Sequence, residues 1–118
     1  MSYLLLIMED REARRNRSAE EGHLRYERMS RFVEDLKGRG VFKASESLRS
    51  LSDGVRIAAR GGKRTVVDGP FAEAKEVVGG FFLLECRNRE QAITIASECP
   101  ATEWATIEVR EVGPCYAD

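Results

Sequence analysis

The chain has 118 residues, 42% of them apolar and 33% charged, with 19 basic and 20 acidic side chains and a net charge of −1. These values describe one soluble globular domain over residues 1–118, large enough for a real core and small for two. With no surplus of positive charge, nothing drives nonspecific binding to phosphate backbones, so a nucleic-acid partner is not expected.

Residues 3–8, Tyr3-Leu4-Leu5-Leu6-Ile7-Met8, form an unbroken apolar run, as expected of a central strand buried on both faces. The run is too short and lacks the basic leader of an export signal, and no other apolar run reaches membrane-spanning length. Residues 9–17 read as a charged loop. Ser18 followed by Glu21 then reads as a capping box that opens a helix over residues 18–39, with Gly40 just past its end. Tyr26, Met29, Phe32, Val33 and Leu36 form the apolar side of this helix, at three- and four-residue spacing.

Residues 41–48 make a weaker strand. Residues 55–60 and 63–67 flank Gly61-Gly62 and read as a β-hairpin, because two glycines accept the positive φ angles of a tight turn. Residues 77–85 form a second long apolar strand. Asn88 with Gln91 opens a second helix carrying Ala92, Ile95, Ala96 and Cys99 on one side, and Pro100 stops it. Ala105, Ile107 and Val109 alternate with polar residues in a last, half-exposed strand, and residues 113–118 read as a loose tail.

The order is strand–helix–strand, hairpin, strand–helix–strand, which is the split βαβ pattern of an α+β, ferredoxin-like sheet with an inserted hairpin. Two helices cover one face of such a sheet. The runs 3–8 and 77–84 lack polar alternation, so their second face also calls for burial. A second copy of the chain is the simplest cover, and a homodimer is expected. Cys86, Cys99 and Cys115 are odd in number and form no CxxC pair. They read as free thiols in the cytoplasm. One histidine and scattered cysteines offer no metal site, and no cofactor is implied.

Asp68-Gly69-Pro70-Phe71-Ala72-Glu73-Ala74-Lys75-Glu76, followed by Gly79-Gly80-Phe81-Phe82, resembles the signature of the DGPF-domain branch of the YCII-related proteins. The resemblance implies a dimeric α+β barrel, in which two ferredoxin-like sheets pack face to face. It implies no particular reaction, since most members have no established activity. A related dehydrochlorinase acting on a chlorinated aromatic compound shows that lyase-type chemistry can be hosted. Relatives are often found beside extracytoplasmic-function sigma factors, which implies a regulatory alternative.

Hairpin register pairs Ile57 with Val66 and Val55 with Asp68, and so puts Asp68 on an apolar face. A carboxylate there is disfavoured in its charged form, which suits a general acid or base. Its other reading is a turn cap before Gly69-Pro70. His23 is the only histidine. It sits roughly 115° from the centre of the helix's apolar stripe, and reads either as a proton carrier or as a partly exposed surface residue. The resemblance implies that His23 and Asp68 form an acid/base pair. It also makes Glu73 and Lys75 candidate pocket residues, although such dense charges read otherwise as a solvated face; Phe71 reads as a core plug, with a pocket wall as the alternative.

Two patterns are set aside. Phe81 and Phe82 are adjacent and point opposite ways, unlike RNA-stacking aromatics, which stand two apart. Seven arginines between Arg11 and Arg31 are interleaved with acids and read as a solvated mixed-charge surface. The expected function is binding of a small organic molecule between helix 18–39 and the sheet, either with proton-transfer chemistry or as a non-catalytic module.

Overall fold

The computed structural model describes residues 1–71 and 74–116. Four strands form the main sheet: β1 (Ser2–Asp10), β2 (Phe42–Ser47), β5 (Glu76–Glu85) and β6 (Thr106–Glu111). Their order is β2-β5-β1-β6, antiparallel throughout. Since β5 lies between β1 and β2, the first strand–helix–strand unit is split, and the arrangement is ferredoxin-like. Helices α2 (Ala19–Gly38) and α3 (Arg89–Glu98) cover one face. A short helix, α1 (Arg11–Asn16), precedes α2. No helix among the described residues is long and apolar enough to cross a membrane.

The core lies where odd-numbered β1 residues meet the helices. Tyr3, Leu5 and Ile7 are buried against Phe32 and Leu36 of α2 and Ile95 of α3. Phe82 of β5 meets Phe32 edge to face, with ring centroids 5.6 Å apart. Ala92, Ala96 and Cys99 seat α3, and burial pushes the Cys99 thiol up to about 11.

Helix α2 starts and stops as its sequence predicts. The Ser18 hydroxyl accepts from the Glu21 amide at 3.1 Å, and Gly40 takes φ +74° beyond the last turn. Only half of the capping box forms, because the Glu21 carboxylate pairs with Arg25 one turn on. Tyr26 also departs from the apolar stripe and stands exposed.

The expected loop over residues 9–17 is a correction. Strand β1 continues to Asp10, where Glu9 pairs with Val77 and Asp10 with Glu76. Asp10 then caps α1, its carboxylate accepting from the Ala13 amide at 2.9 Å. Good helix formers follow that cap, and their density of charge masked the helix.

The hairpin, β3 (Val55–Arg60) with β4 (Lys63–Asp68), has the expected register, from Arg60 opposite Lys63 to Val55 opposite Asp68. Gly61 and Gly62 supply φ +56° and +80°, the signs a type I′ turn needs. It is a separate two-stranded sheet, exposed on both faces, with Ile57 and Val66 each 64% accessible. The main sheet's second face is also open. Leu4, Leu6 and Met8 lie level with Leu83, Phe81 and Val78 along β1 and β5, forming an apolar strip that no helix covers.

Candidate functional site

A cavity of about 420 Å³ opens between α2 and strands β1, β2 and β5. Its apolar walls are built by Ile7, Met29, Val33, Phe82 and Trp104. Strand alternation puts a charge on its floor. Glu9 follows Tyr3, Leu5 and Ile7 on the helix-facing side of β1 and is only 9% exposed. Its Oε2 lies 3.3 Å from Arg14 Nε, near enough to share charge. The geometry is not that of a hydrogen bond, so this buried oxygen has no hydrogen-bond partner.

One glycine makes room for that carboxylate, and the next makes room for the β2 backbone. The register between β1 and β5 slips at Ile7/Met8, opposite Gly80 and Val78, and leaves Gly79 as the extra residue of a bulge. A Cβ on Gly79 would lie 2.5 Å from Glu9 Oε2, and one on Gly80 would lie 2.8 Å from the Glu46 carbonyl oxygen.

Three arginines reach the cavity from above. Arg14 of α1 donates to the Leu48 carbonyl while its Nε faces Glu9. Arg17 crosses Gly22, where a Cβ would stand 3.2 Å from its Nε. Among the described residues the Arg17 guanidinium has no hydrogen bond or ion pair, although it lines the cavity and is half-buried. Arg25 pairs with Glu21 and lies 4.9 Å from the Trp104 ring centroid. Arg49 also lines the cavity and pairs with Asp53 at 3.3 Å. Since Arg25 pairs with Glu21 and Arg14 with Glu9, Arg17 is left as the lining guanidinium without a partner among the described residues. Part of the arginine run read as a solvated surface is therefore a cavity wall. No group of three His, Cys, Asp or Glu among the described residues could hold a metal ion.

The residues singled out from sequence lie elsewhere. His23 is exposed on α2, outside the cavity lining. Asp68 shares its face with Ile57 and Val66 as expected, but the chain leaves that face uncovered and the carboxylate exposed. Asp68 caps nothing: its side chain has no partner among the described residues. Phe71 is buried, with the Arg56 guanidinium 3.8 Å from its ring centroid, and fits the core-plug reading. Lys75 is exposed, and its carbonyl accepts from the Arg11 amide at 3.0 Å. Neither Phe71 nor Lys75 lines the cavity. Glu73 lies outside the described residues. Glu9, Arg14, Arg17 and Arg25 were missed. The alternation of β1, carried two residues further, would have placed Glu9 under the helix.

The model of the YCII-related domain matches residues 1–115. An uncharacterised protein of Rhizobium meliloti (strain 1021) is 43% identical over 37 residues, 31% of this chain and 30% of that protein. The match therefore spans less than a third of that relative's length. The solved structure of 5-chloro-2-hydroxyhydroquinone dehydrochlorinase from Burkholderia phenoliruptrix AC1100, in complex with 2,5-dihydroxybenzoquinone, aligns with a TM-score of 0.50 and 15% identity. The alignment covers 96% of this chain and 94% of that one. At that identity the likeness is one of fold.

Proposed function

For this chain, which belongs to the YCII-related family, we propose binding of a small hydroxylated organic anion between α2 and the sheet, with proton transfer at Glu9. One observation carries the reading: a buried carboxylate oxygen without a hydrogen-bond partner and a guanidinium without a partner among the described residues line the same cavity. An unsatisfied buried acceptor is costly, and a ligand hydroxyl would satisfy it. A free guanidinium presents a planar fork that matches a carboxylate or phenolate. Apolar walls between the two suit a flat, ring-sized body.

The chemistry follows from the charges. Glu9 takes a proton from the bound molecule, and the arginines stabilise the negative charge that develops. In elimination the electron pair left by that proton expels a leaving group as its anion, and in isomerisation Glu9 returns the proton to another carbon of the same molecule. The dehydrochlorinase of the same fold is named for a hydroxylated aromatic substrate, a class that such a site suits. In this reading Glu9, rather than a His23–Asp68 pair, moves the proton. The non-catalytic module uses the same cavity. It is favoured by a lining that contains no histidine or cysteine among the described residues to act as a second proton carrier. A homodimer through the open face of β1 and β5 belongs to the proposal, supported by the apolar strip there.

The test is thermal shift and calorimetry with 4-hydroxybenzoate, which carries a carboxylate and a hydroxyl at opposite ends. At 100 times its dissociation constant it should add about 2.7 kcal/mol of stability. Arg17→Met should weaken binding at least ~10-fold, the effect of losing one charge-assisted hydrogen bond of about 1.5 kcal/mol or more. No binding by wild type, or an Arg17→Met variant that binds equally well, refutes the reading. Dechlorination of 5-chloro-2-hydroxyhydroquinone by wild type, lost in Glu9→Gln with binding retained, selects the enzyme over the module; binding without any dechlorination selects the module.

A further inference from the structure

Helix α1 is six residues long and buries none of them. A helix of that length is not stable alone and has no packed face to hold it, so its position depends on tethers. Two lead to the signature segment. The Arg11 amide donates to the Lys75 carbonyl at 3.0 Å, and Arg11 Nη1 donates to the Phe71 carbonyl at 3.0 Å. Across the cavity mouth, Arg14 donates to the Leu48 carbonyl.

The Phe71 end of the tether is firmly built. Its ring is buried beneath the Arg56 guanidinium, and its carbonyl also accepts from the Ala74 amide at 3.0 Å. Two residues earlier, the Gly69 amide donates to the Gly54 carbonyl at 2.8 Å. A Cβ on Gly69 would stand 2.4 Å from the Leu51 carbonyl oxygen, so only glycine lets the segment approach so closely. The carbonyl that Arg11 grips is thus fixed from both sides.

We infer that Arg11 is a positioning residue for the anion site, and that residues 69–71 act on the cavity through it. The physical chain runs from the buried Phe71 ring to its carbonyl, to Arg11, and along α1 to Arg14 and Arg17. Cut at the Arg11 side chain, α1 keeps its Asp10 cap, the backbone bond to Lys75 and the Arg14 contacts, but loses its side-chain bond to the Phe71 carbonyl. Arg17, which follows α1 and lies across Gly22 of α2, is then anchored from the α2 side alone and is held less firmly where an anion would meet it. Preorganisation of this kind alters affinity without any contact between the positioning residue and the ligand. The inference rests on the proposed anion-binding role of Arg17.

The experiment is a double-mutant cycle on the full chain, with 4-hydroxybenzoate affinity as one readout and amide hydrogen exchange over residues 11–16 as the other. Arg11→Met should weaken binding ~10-fold, matching Arg17→Met, and the double variant should be no weaker than either single one. Arg11→Lys, which keeps a donor for the Phe71 carbonyl, should recover most of the affinity. Exchange should quicken in α1 and stay unchanged in α3. Arg11→Met binding within two-fold of wild type, or losses that multiply in the double variant, overturns the inference. If Arg17→Met is itself silent, the anion-binding reading fails and the positioning role fails with it. Exchange in α1 then decides separately whether the tether to residues 69–71 exists.

Discussion

Gly79→Ala tests the floor of the cavity through the sign of its effect. Gly79 has no positive φ, so alanine fits its backbone. In a strand interior, replacing glycine by alanine ordinarily stabilises by roughly 0.5–1 kcal/mol, because the unfolded chain loses freedom. Here the added Cβ would lie 2.5 Å from Glu9 Oε2 and 2.6 Å from its Cδ, against an ordinary contact of 3.4 Å. The carboxylate must retreat by about 0.9 Å, the difference between those distances. Arg14 Nε stands 3.3 Å away, so a retreat away from it would break that ion pair and a retreat toward it would crowd the guanidinium. Overpacking and a weakened buried pair each cost on the order of 1–3 kcal/mol. Gly79→Ala should therefore destabilise by roughly 1–3 kcal/mol in denaturant titration. In a Glu9→Ala background the obstruction is gone, and the same substitution should be neutral or stabilising by up to ~1 kcal/mol. Gly80→Ala is the control. Its Cβ meets the Glu46 carbonyl, which is backbone and cannot retreat, so its cost should be equal in both backgrounds. Equal costs for Gly79→Ala in the two backgrounds would refute the placement of Glu9 beneath the helix.

Two further outcomes are expected. Light scattering at micromolar concentration should give twice the chain mass, and Leu6→Asp, on the open strip, should halve it; a monomeric wild type would refute pairing through that face. Affinity for 4-hydroxybenzoate should be unchanged in His23→Ala and in Asp68→Asn, because both side chains are exposed and neither lines the cavity; a clear loss in either would restore that residue to the site.

The fold was legible because its elements carry local signals. Ser18 and Asn88 cap the two long helices, Gly40 and Pro100 follow their ends, and Gly61-Gly62 sets the hairpin register. Helix α1 was not legible, since a cap followed by dense charge looks the same in a loop. The site was less readable still. Hairpin register put Asp68 on an apolar face correctly, but register does not say whether anything covers that face. Burial is a tertiary property, and the chain leaves Ile57 and Val66 in the open. Arg14, Arg17 and Arg25 shared the converse difficulty. Among alternating charges, nothing local separates an arginine drawn over a cavity from one that faces solvent.

This contrast bears on what the signature itself is for. Gly69 is needed where the chain presses on the Leu51 carbonyl, Phe71 fills a buried slot, and Gly79 and Gly80 clear space for Glu9 and for the Glu46 backbone. Each of these is a demand for absence of bulk or for burial, and none contributes a group that could bind or react. The charged groups that line the cavity, among them Glu9, Arg14, Arg17 and Arg25, lie before and outside the motif, on β1, α1 and α2 and between the two helices. The motif thus builds the space, while the charges placed in it can differ without disturbing the fold. A chain that kept Gly69, Phe71, Gly79 and Gly80 but exchanged Glu9 and Arg17 should retain the cavity while changing its charge. The motif is therefore good evidence for architecture and poor evidence for substrate.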